Sequence, residues 1–268
     1  GKPRATLEND KWELYDTRTD FSLADDLAAK YPEKLKEMQE LFMKEAAKHN
    51  VLPLDDRRLE RFNAALVGRP DLMAGRTSLT VYEGMTGMSE NVFINIKNRS
   101  HTVTAEVQIP KGGAKGVILA QAGRFGGWTL YLKDGKPTYT YNLFGLKRFT
   151  IAAKRTVPAG KATIRYKFAY DGGGIGKGGR GTLFVNGKKV AEGRIEHTQG
   201  MTFSLEEGTD VGQDGETPVV ENYGIPALYK FTGKIDKVTI DLKEMKEADK
   251  TEENRRREEA GLKKTMSD

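Results

Sequence analysis

The stretch Gly126-Gly-Trp-Thr-Leu-Tyr-Leu-Lys-Asp-Gly-Lys-Pro-Thr-Tyr-Thr-Tyr-Asn142 decides the fold. Its alternation puts Trp128, Leu130 and Leu132 on one face of a strand and Thr129, Tyr131 and Lys133 on the other. Asp134-Gly135 then supplies the two residues of positive φ that a tight hairpin turn demands, and Thr138 to Asn142 reads as the returning strand. Working outward, Asn186-Gly187 marks a second such hairpin between Gly181 to Val185 and Lys189 to Arg194. Further strand candidates are Leu79 to Glu83, Val92 to Lys97, Thr102 to Ile109, Gly116 to Ala122, Arg148 to Ala153, Ala162 to Tyr170, Thr202 to Ser204 and Gly233 to Leu242. So many short strands without intervening helices predict a mainly β domain over residues 79–243: an antiparallel two-sheet sandwich of the jelly-roll, concanavalin-like kind.

Upstream, Trp12 to Asp16 alternates like a short strand. A helix is predicted from Pro32, with Glu33 at its positive end, Leu35, Met38, Phe42 and Ala46 on one face and Asn50 at its close. Residues 1–50 thus form a strand-helix segment whose apolar face needs a partner, and 51–78, with Pro53, Gly68, Pro70 and Gly75, reads as a linker. Residues 244–268 form a charged, partly helical tail in which opposite charges nearly cancel. The chain has no Cys, which excludes disulfides, thiolate metal sites and a cysteine nucleophile. No apolar run is long enough to span a membrane. The net charge of +6 is concentrated: between Lys111 and Arg194, 17 basic residues face three acidic ones, a field that attracts anions.

Four features are candidates for chemistry. The run Gly172-Gly-Gly-Ile-Gly-Lys-Gly-Gly-Arg-Gly181 holds a dinucleotide-like glycine spacing, but strands flank it where that motif needs a following helix. It reads as a hairpin loop, with anion capture by Lys177 and Arg180 as the alternative. Asp210, Asp214 and Glu216 gather carboxylates in one Gly-bearing loop, a candidate for structural calcium against turns that merely shape the loop. Phe125, Trp128, Tyr139, Tyr141 and Phe144 form either core or a glycan platform, with Arg124 beside them to meet an anionic sugar. His49, His101 and His197 are scattered, with no nucleophile elbow, so no catalytic residue is assigned. Basicity without a reader motif makes nucleic acid a weak candidate partner.

The segment Trp12-Glu-Leu-Tyr-Asp-Thr-Arg-Thr-Asp-Phe-Ser-Leu-Ala-Asp-Asp-Leu-Ala-Ala-Lys-Tyr-Pro-Glu-Lys-Leu35 resembles the closing segment of arylsulfatase-type enzymes of the alkaline-phosphatase-like superfamily. Asn63-Ala-Ala-Leu-Val-Gly-Arg-Pro-Asp71, Gly123-Arg-Phe-Gly-Gly-Trp128, Gly181-Thr-Leu-Phe-Val-Asn-Gly-Lys-Lys189 and Phe231-Thr-Gly-Lys-Ile-Asp-Lys-Val238 are similar to a concanavalin- or laminin-G-like sandwich appended to bacterial members. The resemblance, from about Lys11 to Glu244, implies the C-terminal region of a sulfuric ester hydrolase and a periplasmic or secreted protein. The family's formylglycine arises in a Cys/Ser-x-Pro-x-Arg motif, yet no Ser here has Pro two places on, so the chain alone is expected to be inactive and to need no cofactor. Its expected partner is a sulfatase catalytic domain preceding Gly1, or another subunit. The rival expectation is a lectin-like module for anionic, sulfated polysaccharide.

Overall fold

In the computed structural model, residues 10–52, 70–203, 206–244 and 251 are described. The expected linker residues 53–69, Ser204, and all but Thr251 of the tail beyond residue 244 lie outside them. The chain divides into two compact units, Gly1–Val67 with Lys263–Asp268, and Gly68–Leu262.

In the first unit the predicted helix is α1, Pro32–Lys48, which opens on Pro and carries Glu33 in its first turn and Lys48 in its last. Trp12 packs edge-on to Phe42, with ring centroids 5.6 Å apart. Trp12 to Asp16, expected as a strand, joins no sheet among the described residues, although the Leu14 carbonyl accepts the Leu27 N–H at 2.7 Å. Instead Leu14 is tied by its N–H to the Asp26 carboxylate, and Asp16 turns the chain by accepting from Arg18. Ala46 is buried, while Met38, expected on the packed face, is exposed together with Leu41 and Met43.

The second unit is the expected sandwich. One sheet runs β1 (Ser78–Val81), β11 (Lys234–Leu242), β2 (His101–Ile109), β7 (Gly160–Tyr170), β8 (Lys177–Val185), β9 (Lys188–His197). The other runs β10 (Thr209–Val211), β3 (Gly116–Gly123), β4 (Gly126–Lys133), β5 (Lys136–Leu143), β6 (Lys147–Ala152). Every strand pair is antiparallel. Asp134-Gly135 and Asn186-Gly187 both turn at positive φ, as their chemistry demands. Val103, Ala105, Trp128, Leu130, Tyr139, Ile164, Tyr166 and Leu183 interdigitate between the sheets.

Two expected strands are absent. Val92 to Lys97 follows a single 3₁₀ turn, and its Phe93, Ile94 and Ile96 enter the core from a non-ladder segment. Lys97 is buried there against Glu90 and lies 4.7 Å over the Phe203 ring, while Glu90 also accepts from the Phe203 N–H. Side-chain interactions thus hold this segment where a ladder was expected. Thr202 and Phe203 likewise form no strand, and Ser204 is not described.

A feature of the five-stranded sheet has no counterpart in the predicted layout. Its outer face is covered by an irregular segment, residues 212–231. Val219 and Tyr223 pack there on Val117, Ala120 and Tyr131, forming a second small core. Backbone bonds pin the segment to β3: Gly212 N–H to Ile118 O (3.0 Å) and Val117 N–H to Tyr229 O (2.9 Å). β4 is therefore buried on both faces up to Leu132.

Candidate functional site

Of the expected glycan platform, three rings are interior. Trp128 is 0 % exposed, donates its indole N–H to Gln121 Oε1 (2.8 Å) and stacks on Tyr139, which lies 3.6 Å from Tyr166. The Tyr141 hydroxyl accepts the Gln199 N–H, and burial raises its pKa. These three face the opposite sheet, where Tyr139 and Tyr141 line a small pocket with His101, Phe168 and Gln199, and none presents a ring face at the surface. Phe125 and Phe144 are the platform residues that do reach solvent, each 54 % exposed, and Arg124 is exposed beside Phe125 on the β3–β4 turn.

The Gly-rich run is only partly a loop. β8 begins at Lys177, and its glycines answer to packing: a Cβ on Gly181 would lie 2.5 Å from Ile151 Cδ1, and one on Gly178 2.4 Å from the Glu196 carbonyl. Lys177 is exposed at the strand's start, and Arg180 donates to Glu192 at 2.9 Å. The structure does not join these two cations to the Trp128, Tyr139 and Tyr141 rings in one pocket, because the rings are sealed between the sheets.

Two of the three carboxylates of the acidic loop, Asp210 and Asp214, are occupied by backbone and tyrosine, while Glu216 is exposed and plays no such part among the described residues. Asp210, on β10, accepts the Gly87 N–H at 2.7 Å, and burial raises its pKa. Asp214 accepts from the N–H groups of Gly215 (2.9 Å) and Val219 (3.0 Å) and from the Tyr223 hydroxyl. Burial pushes its pKa up to about 7. Among the described residues no three His, Asp or Glu side chains form a metal-binding group. His101 is interior too, its Nδ1 3.2 Å from the Arg99 carbonyl; burial takes its pKa down to about 4, so the ring is neutral at neutral pH.

The residues that the structure does gather lie on the outer face of the six-stranded sheet. On β7, Ala162, Ile164, Tyr166 and Phe168 point into the core, so Lys161, Thr163, Arg165 and Lys167 share the opposite face. That row spans about 20 Å. Arg165 pairs across the ladder with Phe184, its guanidinium 4.8 Å over the ring, and Lys167 pairs with Thr182. Arg180 and Arg194 face each other on β8 and β9. Thr102 and Thr104 of β2 lie opposite Lys167 and Arg165. The outlying cations of the face are neutralised: Arg180 and Lys189 share Glu192, Arg194 binds Asp171, and Lys237 binds Glu106. No carboxylate within 4 Å pairs with Lys161, Arg165 or Lys167 among the described residues. Sequence reasoning counted these three in the basic stretch without assigning them a site. The signal was their period-two alternation with Ala162, Ile164, Tyr166 and Phe168.

No protein-family model matches the chain, and no curated protein matches it. Among solved structures, the carbohydrate-binding module CBM40 of the Ruminococcus gnavus IT-sialidase bound to α2,3 sialyllactose is similar at 14 % identity and TM-score 0.43, covering 65 % of this chain and 93 % of that one. Domains LG4-5 of the mouse laminin α1 chain are similar at 13 % identity and TM-score 0.38, over 63 % of this chain and 40 % of theirs. The leech intramolecular trans-sialidase complexed with 2,7-anhydro-Neu5Ac is similar at 14 % identity and TM-score 0.38, over 65 % and 26 %. Likenesses this distant carry nothing about ligands, and the sandwich assignment rests on the two sheets themselves.

Proposed function

We propose that the sandwich is a non-catalytic, lectin-like module that binds anionic, sulfated polysaccharide along the outer face of its six-stranded sheet. The observation that carries this reading is the row Lys161, Arg165, Lys167 on β7, which lacks carboxylate partners among the described residues while the cations around it are paired. A flat, threonine-lined sheet face suits a linear polyanion, because its cations are spaced along one direction and the hydroxyls beside them donate to sulfate oxygens. The double variant Arg165→Glu/Lys167→Glu should lose heparin affinity by about tenfold or more at physiological salt, about 0.15 M. Lys154→Glu/Arg155→Glu, which makes the same charge change on the β6–β7 connection, should stay within about twofold of wild type. Heparin-column elution and titration calorimetry measure this; equal losses in both variants would leave only diffuse attraction and remove the site.

A specific observation also favours the arylsulfatase-accessory reading. In the first unit Phe21, Leu23, Tyr31, Met38, Leu41 and Met43 are all exposed. That is more apolar surface than one helix hides, and it suits packing on a larger catalytic domain. On this reading the purified chain turns over no aryl sulfate. Hydrolysis of p-nitrophenyl sulfate that tracks the protein through purification would sink it.

A further inference from the structure

Three hairpin turns of the sandwich place a non-glycine residue followed by Gly at positive φ: Asp134-Gly135, Asn186-Gly187 and Phe144-Gly145, the last at 55° and 72°. The first two use the residues that tolerate that conformation, and the third puts a bulky aromatic where Asn or Asp belongs. Phe144 gains only partial packing in return, since it is 54 % exposed. A local rule broken with so little structural compensation points to a functional demand.

The neighbourhood repeats the pattern. The β5–β6 turn that carries Phe144 and Leu146 abuts the β3–β4 turn that carries Phe125. Asn142 Nδ2 donates to the Gly123 and Arg124 carbonyls (both 2.9 Å), and Asn142 Oδ1 accepts the Gly145 N–H. A Cβ on Gly145 would lie 2.8 Å from the Arg124 carbonyl, so the two turns touch. Leu146 is 87 % exposed. One end of the five-stranded sheet therefore presents three large apolar side chains to solvent.

The charges behind these side chains cancel in pairs. Lys147 binds Glu196 (3.1 Å) and Arg148 binds Glu221, while Arg124 has no carboxylate partner among the described residues. A rim left with a single cation gives only a weak field with which to hold a polyanion or an anionic bilayer. It complements an uncharged ligand that has an apolar face and many hydroxyls: ring faces pack on the C–H face of a pyranose, and the paired carboxylate and guanidinium groups meet its hydroxyls. We propose that Phe125, Phe144 and Leu146 form a second site, for a neutral glycan, separate from the basic sheet face and insensitive to salt.

Affinity electrophoresis through gels containing hydroxyethylcellulose, laminarin or galactomannan, in salt of about 0.5 M that screens the basic face, tests this. The wild-type chain should be retarded by at least one of the three. Phe125→Ala and Phe144→Asn should each weaken that retardation by about fivefold or more. Arg165→Glu/Lys167→Glu should leave it unchanged, so failure of this site and failure of the polyanion site are read separately. Phe144→Asn restores the favoured turn, and its Tm should rise by about 2–4 °C, which excludes misfolding as the cause of lost binding. No retardation by any of the three polymers overturns the proposal. So does full retardation of Phe144→Asn, or loss on that variant of sedimentation with phosphatidylcholine or phosphatidylserine vesicles in place of glycan, which would make lipid the occupant.

Discussion

At pH 8 the Asp214→Asn variant should resist urea better than the wild-type chain, and at pH 4 that advantage should vanish. Asp214 is 1 % exposed beneath the segment that covers the outer face of the five-stranded sheet, and it gathers the Gly215 and Val219 N–H groups and the Tyr223 hydroxyl. Burial is the largest influence on it and outweighs those donors; the nearby Asp210 adds to the effect, and the carboxyl rises from 3.8 to about 7. Between those two values the folded chain holds a proton that the unfolded chain has released. Stability therefore falls as pH rises from about 4 to about 7 and is level beyond. The shift is about 3 units, on the order of 4 kcal/mol at about 1.4 kcal/mol per unit. Asparagine keeps an acceptor for only one of the two amides, because Gly215 and Val219 bind different carboxylate oxygens; that lost bond costs about 1–3 kcal/mol, less than the ionisation costs, and the variant never ionises. Urea midpoints at pH 4, 6 and 8 measure the difference, and parallel curves for the two proteins would show that Asp214 does not titrate in this range.

The same segment explains what was legible in the sequence and what was not. Asp134-Gly135 and Asn186-Gly187 announced their hairpins because only certain residues tolerate two successive positive φ angles. Strict alternation announced β2 and β7, whose outer faces meet water. Alternation could not say that the far side of β4 is also covered, because residues 212–231 are irregular: Val219, Tyr223 and Tyr229 arrive without period, between glycines and carboxylates. The short strand β10 was missed for a related reason. Thr209–Val211 is three residues long with a carboxylate at its centre, so it read as a cation loop, whereas its Asp210 turns to the Gly87 N–H. Val92 to Lys97 erred the other way: its sequence alternates and Phe93, Ile94 and Ile96 are buried, but the Lys97–Glu90 pair holds it where no partner strand lies among the described residues. The row Lys161, Arg165, Lys167 was legible as alternation. Its lack of partners was not, since only cross-strand register shows that Glu192, Asp171 and Glu106 serve other cations.

Trp128→Ala should bring the sandwich to the edge of unfolding. The indole is wholly buried, stacked on Tyr139 and hydrogen-bonded to Gln121, in a layer that Tyr139 and Tyr166 extend to the opposite sheet. Removing it costs about 3–5 kcal/mol for lost transfer energy and the cavity left behind. The unpaired Gln121 Oε1 adds about 1–3 kcal/mol if it stays dry. Domains of this kind have about 5–15 kcal/mol in total, so the loss is a large share of the whole. Trp128→Phe keeps the stack but not the donor and should sit between the variant and wild type. Thermal melts followed by near-ultraviolet circular dichroism separate the cases. A glycan-platform tryptophan makes a different forecast: its alanine variant melts like wild type and loses only ligand. An unchanged Tm for Trp128→Ala would therefore move this ring out of the core and restore it as a sugar contact. The interior placement instead leaves Phe125 and Phe144 as the platform rings that a ligand can meet, and their substitution should cost binding rather than stability.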